Sequence, residues 1–141
     1  MKRKAYAVWR GGIIDGSGTI SSDSGVLSNT QYSFSSRFEN GIGTNPEELI
    51  AAAHAGCFSM AFSGQLGAAK LTPESINTTA IVTIEKQGDG FTITAVHLDV
   101  RAKVPGASVE AFNAAAKKAK EGCPVSKVLN ADITMTAQLE V

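Results

Sequence analysis

Two long stretches of this chain alternate apolar and polar residues at the period of a half-buried strand. Thr78 to Lys86 and Phe91 to Val104 both do so, and Gln87-Gly88-Asp89-Gly90 between them reads as a hairpin turn. Ala131 to Val141 alternates as well, with Ile133, Met135, Ala137, Leu139 and Val141 on one face. Near the start, Tyr6 and Val8 precede a Gly11-Gly12 break. Ile13-Ile14 then lead into the turn-rich Asp15-Gly16-Ser17-Gly18, and Thr19-Ile20-Ser21 fits a short strand. The segment Tyr32 to Glu39 predicts one more strand, with Tyr32, Phe34, Ser36 and Phe38 on one side and Ser33, Ser35, Arg37 and Glu39 on the other. On that pattern Arg37 points away from the two phenylalanines, as a solvated charge worth little to stability.

Helical signals lie between these strands. After a flexible loop from Gly41 to Thr44, Asn45 can cap a helix, Pro46 suits its first position, and Glu47 and Glu48 suit its positive end. The helical pattern reaches toward Lys70, and Leu71-Thr72-Pro73 ends it. At 100° per residue, Ala52, Gly56, Ser59, Ser63 and Gly67 fall in one narrow arc, with Cys57 at its edge. Such a stripe of small residues predicts another element packed very close. Pro105-Gly106 breaks the second long strand, and Ser108 can cap a second helix with Val109, Phe112, Ala115, Ala116 and Ala119 inside. Lys117, Lys118 and Lys120 complement the far end of that helix, and Gly122 is its expected C-cap. Cys123-Pro124 opens a short helical turn to Leu129.

Composition narrows the class. The 141 residues are 43% apolar and 18% charged, as in a globular protein, and residues 1–141 are expected to form a single domain. Thirteen basic residues balance 13 acidic ones, so nucleic-acid binding is not expected. The run Leu49 to Ala69 carries no formal charge and is long enough to span a bilayer, but it is Ala-rich and holds His54, Ser59, Ser63 and Gln65. It reads as a core helix, with no membrane partner. No apolar signal region follows Met1-Lys2-Arg3-Lys4, so a cytoplasmic location is expected.

Most site chemistries find no frame here. There is no C-x-x-C, His54 and Cys57 make only one local pair, and His97 has no evident partner, so no metal is expected. No phosphate loop and no G-x-S-x-G elbow occurs. Two cysteines remain. A lone buried cysteine is ordinarily a small apolar filler, and this reading stays open for Cys57. Cys123 lies between a helix-ending Gly122 and a helix-starting Pro124, where free N–H groups and the helix dipole lower a thiol pKa. Spacing alone leaves open whether the two sulfurs meet.

Four separated blocks, in order, resemble one family. They are Phe34-x-x-Arg37-Phe38-Glu39, Gly43 through Ile50, Ala53-His54-Ala55-Gly56-Cys57-Phe58-Ser59-Met60, and Gly122-Cys123-Pro124-Val125-Ser126. Together with Trp9-Arg10-Gly11 and Gly16 through Ser21, they resemble the OsmC (osmotically inducible protein C) family over essentially the whole chain. Arg37, just before the Gly-Thr-Asn-Pro-Glu block, is placed as in the OsmC branch of the OsmC and organic hydroperoxide resistance superfamily.

The resemblance implies an α+β fold, with antiparallel sheets wrapped around a buried central helix in an intertwined homodimer. It implies a thiol-dependent peroxidase that reduces organic hydroperoxides, and hydrogen peroxide more weakly, in oxidative and osmotic stress defence. By position, Cys57 matches the peroxidatic cysteine, Cys123 the resolving cysteine, Arg37 the arginine that stabilises the thiolate, and Glu47 the glutamate that holds the arginine. A Cys57–Cys123 disulfide would form in turnover, and an external dithiol, with a lipoyl type among the candidates, would reduce it. No cofactor is implied. His54 is expected to be structural. The rival expectations are a stress-related binding protein with incidental cysteines, and a thiol redox sensor that oxidises without turning over.

Overall fold

The computed structural model describes residues 1–140, so the place given to Val141 on the last strand lies outside the described residues. The chain divides into two compact units, Met1–Leu49 and Ile50–Val141. The first holds β1 (Ala5–Arg10), β2 (Ser17–Ser22), β3 (Thr30–Tyr32), α1 (Phe34–Phe38) and the start of α2 (Pro46–Ala68). The second holds the rest of α2, then β4 (Ser75–Gln87), β5 (Gly90–Lys103), α3 (Val109–Gly122), α4 (Pro124–Val128) and β6 (Asp132–Glu140).

In the first unit β1, β2 and β3 form an antiparallel sheet in that order. Trp9 pairs with Gly18, and Gly18 pairs with Tyr32. A Cβ on Gly18 would collide with both aromatic rings, so the bare α-carbon lets Trp9 and Tyr32 approach to 5.4 Å between centroids. The strand expected from Tyr32 to Glu39 is corrected here: β3 stops at Tyr32 and a one-turn helix follows. Local hydrogen bonding decides this. The Ser33 hydroxyl accepts from the Ser36 N–H at 3.2 Å, and the Ser36 hydroxyl accepts from the Ser33 N–H at 2.8 Å, a reciprocal cap that a strand cannot form. The alternation was ambiguous, because Phe34 and Phe38 are also i and i+4 partners, and their rings stand 5.0 Å apart. Arg37 therefore does not leave on the far side from the phenylalanines: its guanidinium carbon lies 5.0 Å from the Phe38 ring centre.

Helix α2 starts as its sequence predicts. The Asn45 side-chain oxygen accepts from the Glu48 N–H at 2.8 Å, with Pro46 at the first helical position. Its end is a Schellman arrangement: Leu71 N–H bonds the Leu66 carbonyl and Lys70 N–H the Gly67 carbonyl, each at 2.9 Å, with Lys70 left-handed at φ 61°.

In the second unit β4 and β5 run antiparallel, with a bulge between Thr83 and Ile84, while β6 joins β5 in parallel. The expectation of antiparallel sheets thus holds for every pair but this last one. Alternate residues put Val96, Leu98, Val100 and Ala102 of β5 on one face, all fully buried. In register beside them stand Val82, Ala80 and Ile76 of β4, and Ile133, Met135, Ala137 and Leu139 of β6. Phe58, Phe62 and Leu66, spaced four apart on α2, and Phe112, Ala115, Ala116 and Ala119 of α3 complete this core. Each large side chain fully buried there contributes about 1.5–3 kcal/mol. Helix α2 is thus a partly buried core helix, although its length and hydropathy would suit a membrane span. Two expectations for α3 are corrected. Val109 is exposed, because it opens the helix one turn before Phe112, and the cap at the far end is Cys123, one residue past Gly122. On the outer face of the sheet His97 has partners after all: Thr134 at 2.7 Å and Thr136 at 3.3 Å, supplied by the parallel strand β6.

Candidate active site

The residues marked by the sequence assemble as two pairs, one in each unit. In the first, α1 carries Arg37 and the first turn of α2 carries Glu47. Arg37 Nε donates to the two Glu47 carboxylate oxygens at 3.1 and 3.2 Å, and Nη2 donates to Oε1 at 2.7 Å. The short connection is tied down so that this clamp forms. The Ser36 hydroxyl donates to the Thr44 carbonyl at 2.7 Å, and the Asn45 amide donates to the Ser36 carbonyl at 3.0 Å. Gly43, at φ 122°, turns the chain so that Thr44 N–H reaches the Gln31 carbonyl. Beside Arg37 opens a cavity of about 240 Å³, walled by Trp9, Ile13, Tyr32, Phe34, Phe38 and Pro46.

The second pair is Cys57 and Cys123. They are 66 positions apart in sequence, and their sulfurs stand 2.8 Å apart as free thiols. Helix α2 carries Cys57. Cys123 sits where α3 ends and α4 begins, capping both. The two thiols differ in access: Cys123 is fully buried, whereas Cys57 is partly exposed. They also differ electrostatically. Burial pushes the Cys57 thiol up, and its hydrogen bond with Cys123 adds to this, against one backbone N–H from Val125. Burial also pushes Cys123 up, but its polar contacts with Cys57, with the backbone and hydroxyl of Ser126 and with the Val125 backbone outweigh it, so its pKa falls.

The sequence set His54 beside Cys57 with a structural role and gave Ser126 no role of its own. His54, one turn before Cys57, is fully buried, and its Nε2 lies 2.7 Å from the Ser126 hydroxyl oxygen. Its Nδ1 is buried and makes no hydrogen bond. Burial holds the imidazole pKa below its ordinary value. The sequence signal was the spacing: His54 precedes Cys57 by three residues, Ser126 follows Cys123 by three, and each step is about one helical turn. Among the described residues, no three His, Cys, Asp or Glu side chains gather as metal ligands would.

A fold of this kind, with a cysteine pair and an arginine–glutamate clamp, defines a class, and comparison with known proteins gives the same one. The family model described as OsmC-like protein matches residues 38–138. The chain is 52% identical over 138 residues to peroxiredoxin OsmC of Escherichia coli strain K12, covering 98% of this chain and 96% of that one. It is 34% identical over 99 residues to an organic hydroperoxide resistance protein of Xanthomonas axonopodis pv. citri, 68% of each chain. An OsmC-like protein of Vibrio cholerae has the same fold, with a TM-score of 0.77 at 17% identity, over 98% of this chain and 99% of that one. The chain belongs to the OsmC family.

Proposed function

We propose that this chain is a thiol-dependent peroxidase for organic hydroperoxides, with Cys57 as the attacking thiol and Cys123 as the resolving one. The observation that carries the reading is the 2.8 Å approach of the two free sulfurs, one partly exposed and one fully buried. A hydroperoxide can reach the exposed sulfur only. The Cys57 thiolate attacks the terminal peroxide oxygen, the O–O bond breaks, and the alkoxide leaves and takes a proton to become an alcohol. Cys57 is left as a sulfenic acid. Cys123 then attacks the Cys57 sulfur, the hydroxyl leaves as water, and a disulfide closes before further oxidation can occur. An external dithiol, of lipoyl type or another, reopens it by exchange.

Burial raises the Cys57 pKa, so the first step needs a cation. Arg37 is assigned that task, since a guanidinium stays charged, and Glu47 fixes its orientation. The apolar cavity beside Arg37 supports a hydrocarbon tail on the substrate, with hydrogen peroxide a weaker one. The protein is proposed to work as a homodimer in the cytoplasm. On α2, Gly56 and Gly67 are exposed, and a Cβ on either would meet nothing within 4 Å, which leaves these two positions of the small-residue stripe bare in a single subunit. The family match runs through the boundary between the two compact units, which supports 1–141 as one working domain.

The test is turnover. Catalytic loss of cumene or tert-butyl hydroperoxide with a dithiol present is expected. A single stoichiometric oxidation would point to a redox sensor, and no reaction to a binding protein.

A further inference from the structure

The mechanism above leaves one buried group unused. His54 lies with its Nε2 2.7 Å from the Ser126 hydroxyl, and Ser126 stands one helical turn after Cys123, the N-cap of its helix, where its hydroxyl lowers the Cys123 pKa. The direction of this chain can be read from proton counting. A serine hydroxyl has one proton. If it goes to the Cys123 sulfur, the contact with His54 must be an N–H of the ring donating to the serine oxygen. That places the ring proton on Nε2 and leaves Nδ1 as a bare lone pair. The opposite tautomer would bury an unpaired N–H at Nδ1, where no partner is present. Orphaned buried donors are rarer than under-satisfied acceptors. Burial also disfavours a second proton on the ring, which keeps it a fixed donor.

We propose that His54 is a positioning residue for disulfide closure: Nε2–H holds the Ser126 hydroxyl, whose proton is aimed at the Cys123 sulfur, so that Cys123 attacks oxidised Cys57 as a thiolate. The proposal rests on the assignment of Cys57 and Cys123 made above. The step balances. Cys123 loses its thiol proton to solvent, a sulfur–sulfur bond forms as the S–O bond of the sulfenic acid breaks, and the departing hydroxide takes up a proton as water. Cys123 is oxidised and Cys57 reduced, with no other reactant. Hydrogen bonds to a charged acceptor are about twice as strong as neutral ones, so the array favours the thiolate over the thiol.

The experiment separates the two steps. Full-length protein is mixed with one equivalent of cumene hydroperoxide and quenched with dimedone or a thiol-blocking maleimide, and the products are counted by mass spectrometry. Ser126→Ala and His54→Leu should oxidise Cys57 at the wild-type rate. They should close the disulfide about tenfold more slowly, as a loss of one pKa unit predicts, and accumulate dimedone adducts on Cys57. His54→Gln, which can place an amide N–H where Nε2–H stood, should recover most of the closure rate. Purely structural damage would not be mended by that amide. If His54→Leu does not fold, Ser126→Ala carries the test. Wild-type closure in Ser126→Ala, or a slow His54→Leu that His54→Gln fails to rescue, overturns the proposal. The oxidation of Cys57 in a Cys123→Ser protein is the separate check: if no sulfenic acid forms there, the peroxidase assignment itself fails.

Discussion

Arg37 and Glu47 share three hydrogen bonds, yet their side chains are unequally shielded: 37% of the arginine is exposed and 9% of the glutamate. The pair is therefore not the loose surface charge that the strand reading of Arg37 implied. Removing the arginine strands a buried carboxylate, whereas removing the glutamate leaves a guanidinium that water can still reach. Arg37→Ala should cost about 2 kcal/mol, between the values for surface and buried pairs, and Glu47→Ala about half of that. Both should slow oxidation of Cys57 by roughly ten- to a hundredfold, as a rise of one to two pKa units would. Urea unfolding and single-turnover oxidation measure the two effects. Equal stability losses would mean that the shielding difference does not hold in solution.

The unequal access of the two sulfurs makes the cysteine variants unequal too. Cys57→Ser should lose peroxide consumption altogether, since a serine hydroxyl is scarcely ionised at neutral pH. Cys123→Ser should react once, yielding a sulfenic acid that dimedone traps and excess peroxide drives on to sulfinic acid. If instead Cys57→Ser still forms a sulfenic acid on Cys123, the two roles are exchanged.

Both long strands, the capped start of α2 and the Cys123-Pro124 junction were legible, because each rests on local rules of pattern and capping. Tyr32 to Glu39 was misread because Phe34 and Phe38 satisfy two periods at once, and only the Ser33–Ser36 cap breaks the tie. The parallel seating of β6, and with it the partners of His97, is set by tertiary register, to which alternation is blind. For the site, the family motifs named Cys57, Cys123, Arg37 and Glu47. The Ser126–His54 contact spans 72 positions and has no local signature beyond two one-turn offsets.

The shielded imidazole of His54 predicts an acid dependence of stability. Its folded pKa lies below the ordinary 6.5, because burial disfavours the charged ring. Between that lower value and 6.5 the unfolded chain binds a proton that the folded one refuses, so stability falls as pH drops through this window and levels off beneath it. The loss is at most about 1.4 kcal/mol per pH unit from one proton. Urea midpoints of wild type and His54→Gln should diverge from near pH 6.5 downward, with the variant holding up better. Parallel curves would show that the ring takes up its proton in the folded state.

The small-residue stripe of α2 offers a sign test for the dimer. A Cβ on Gly56 would touch nothing within 4 Å in one subunit. A glycine inside a helix costs about 0.8–1.0 kcal/mol relative to alanine, and leucine is nearly as good a helix former as alanine. In a monomer Gly56→Leu should therefore stabilise the fold by several tenths of a kcal/mol. Against a second α2, the same side chain would overpack a close contact, at about 1–3 kcal/mol for each copy. The expected result is a wild-type dimer by sedimentation at micromolar concentration, and a Gly56→Leu protein that dissociates and unfolds at lower urea. Gly56→Ala, which adds a single methyl, should fall between them. A wild-type monomer, or a Gly56→Leu protein that gains stability, would return the stripe to ordinary solvent-facing helix surface.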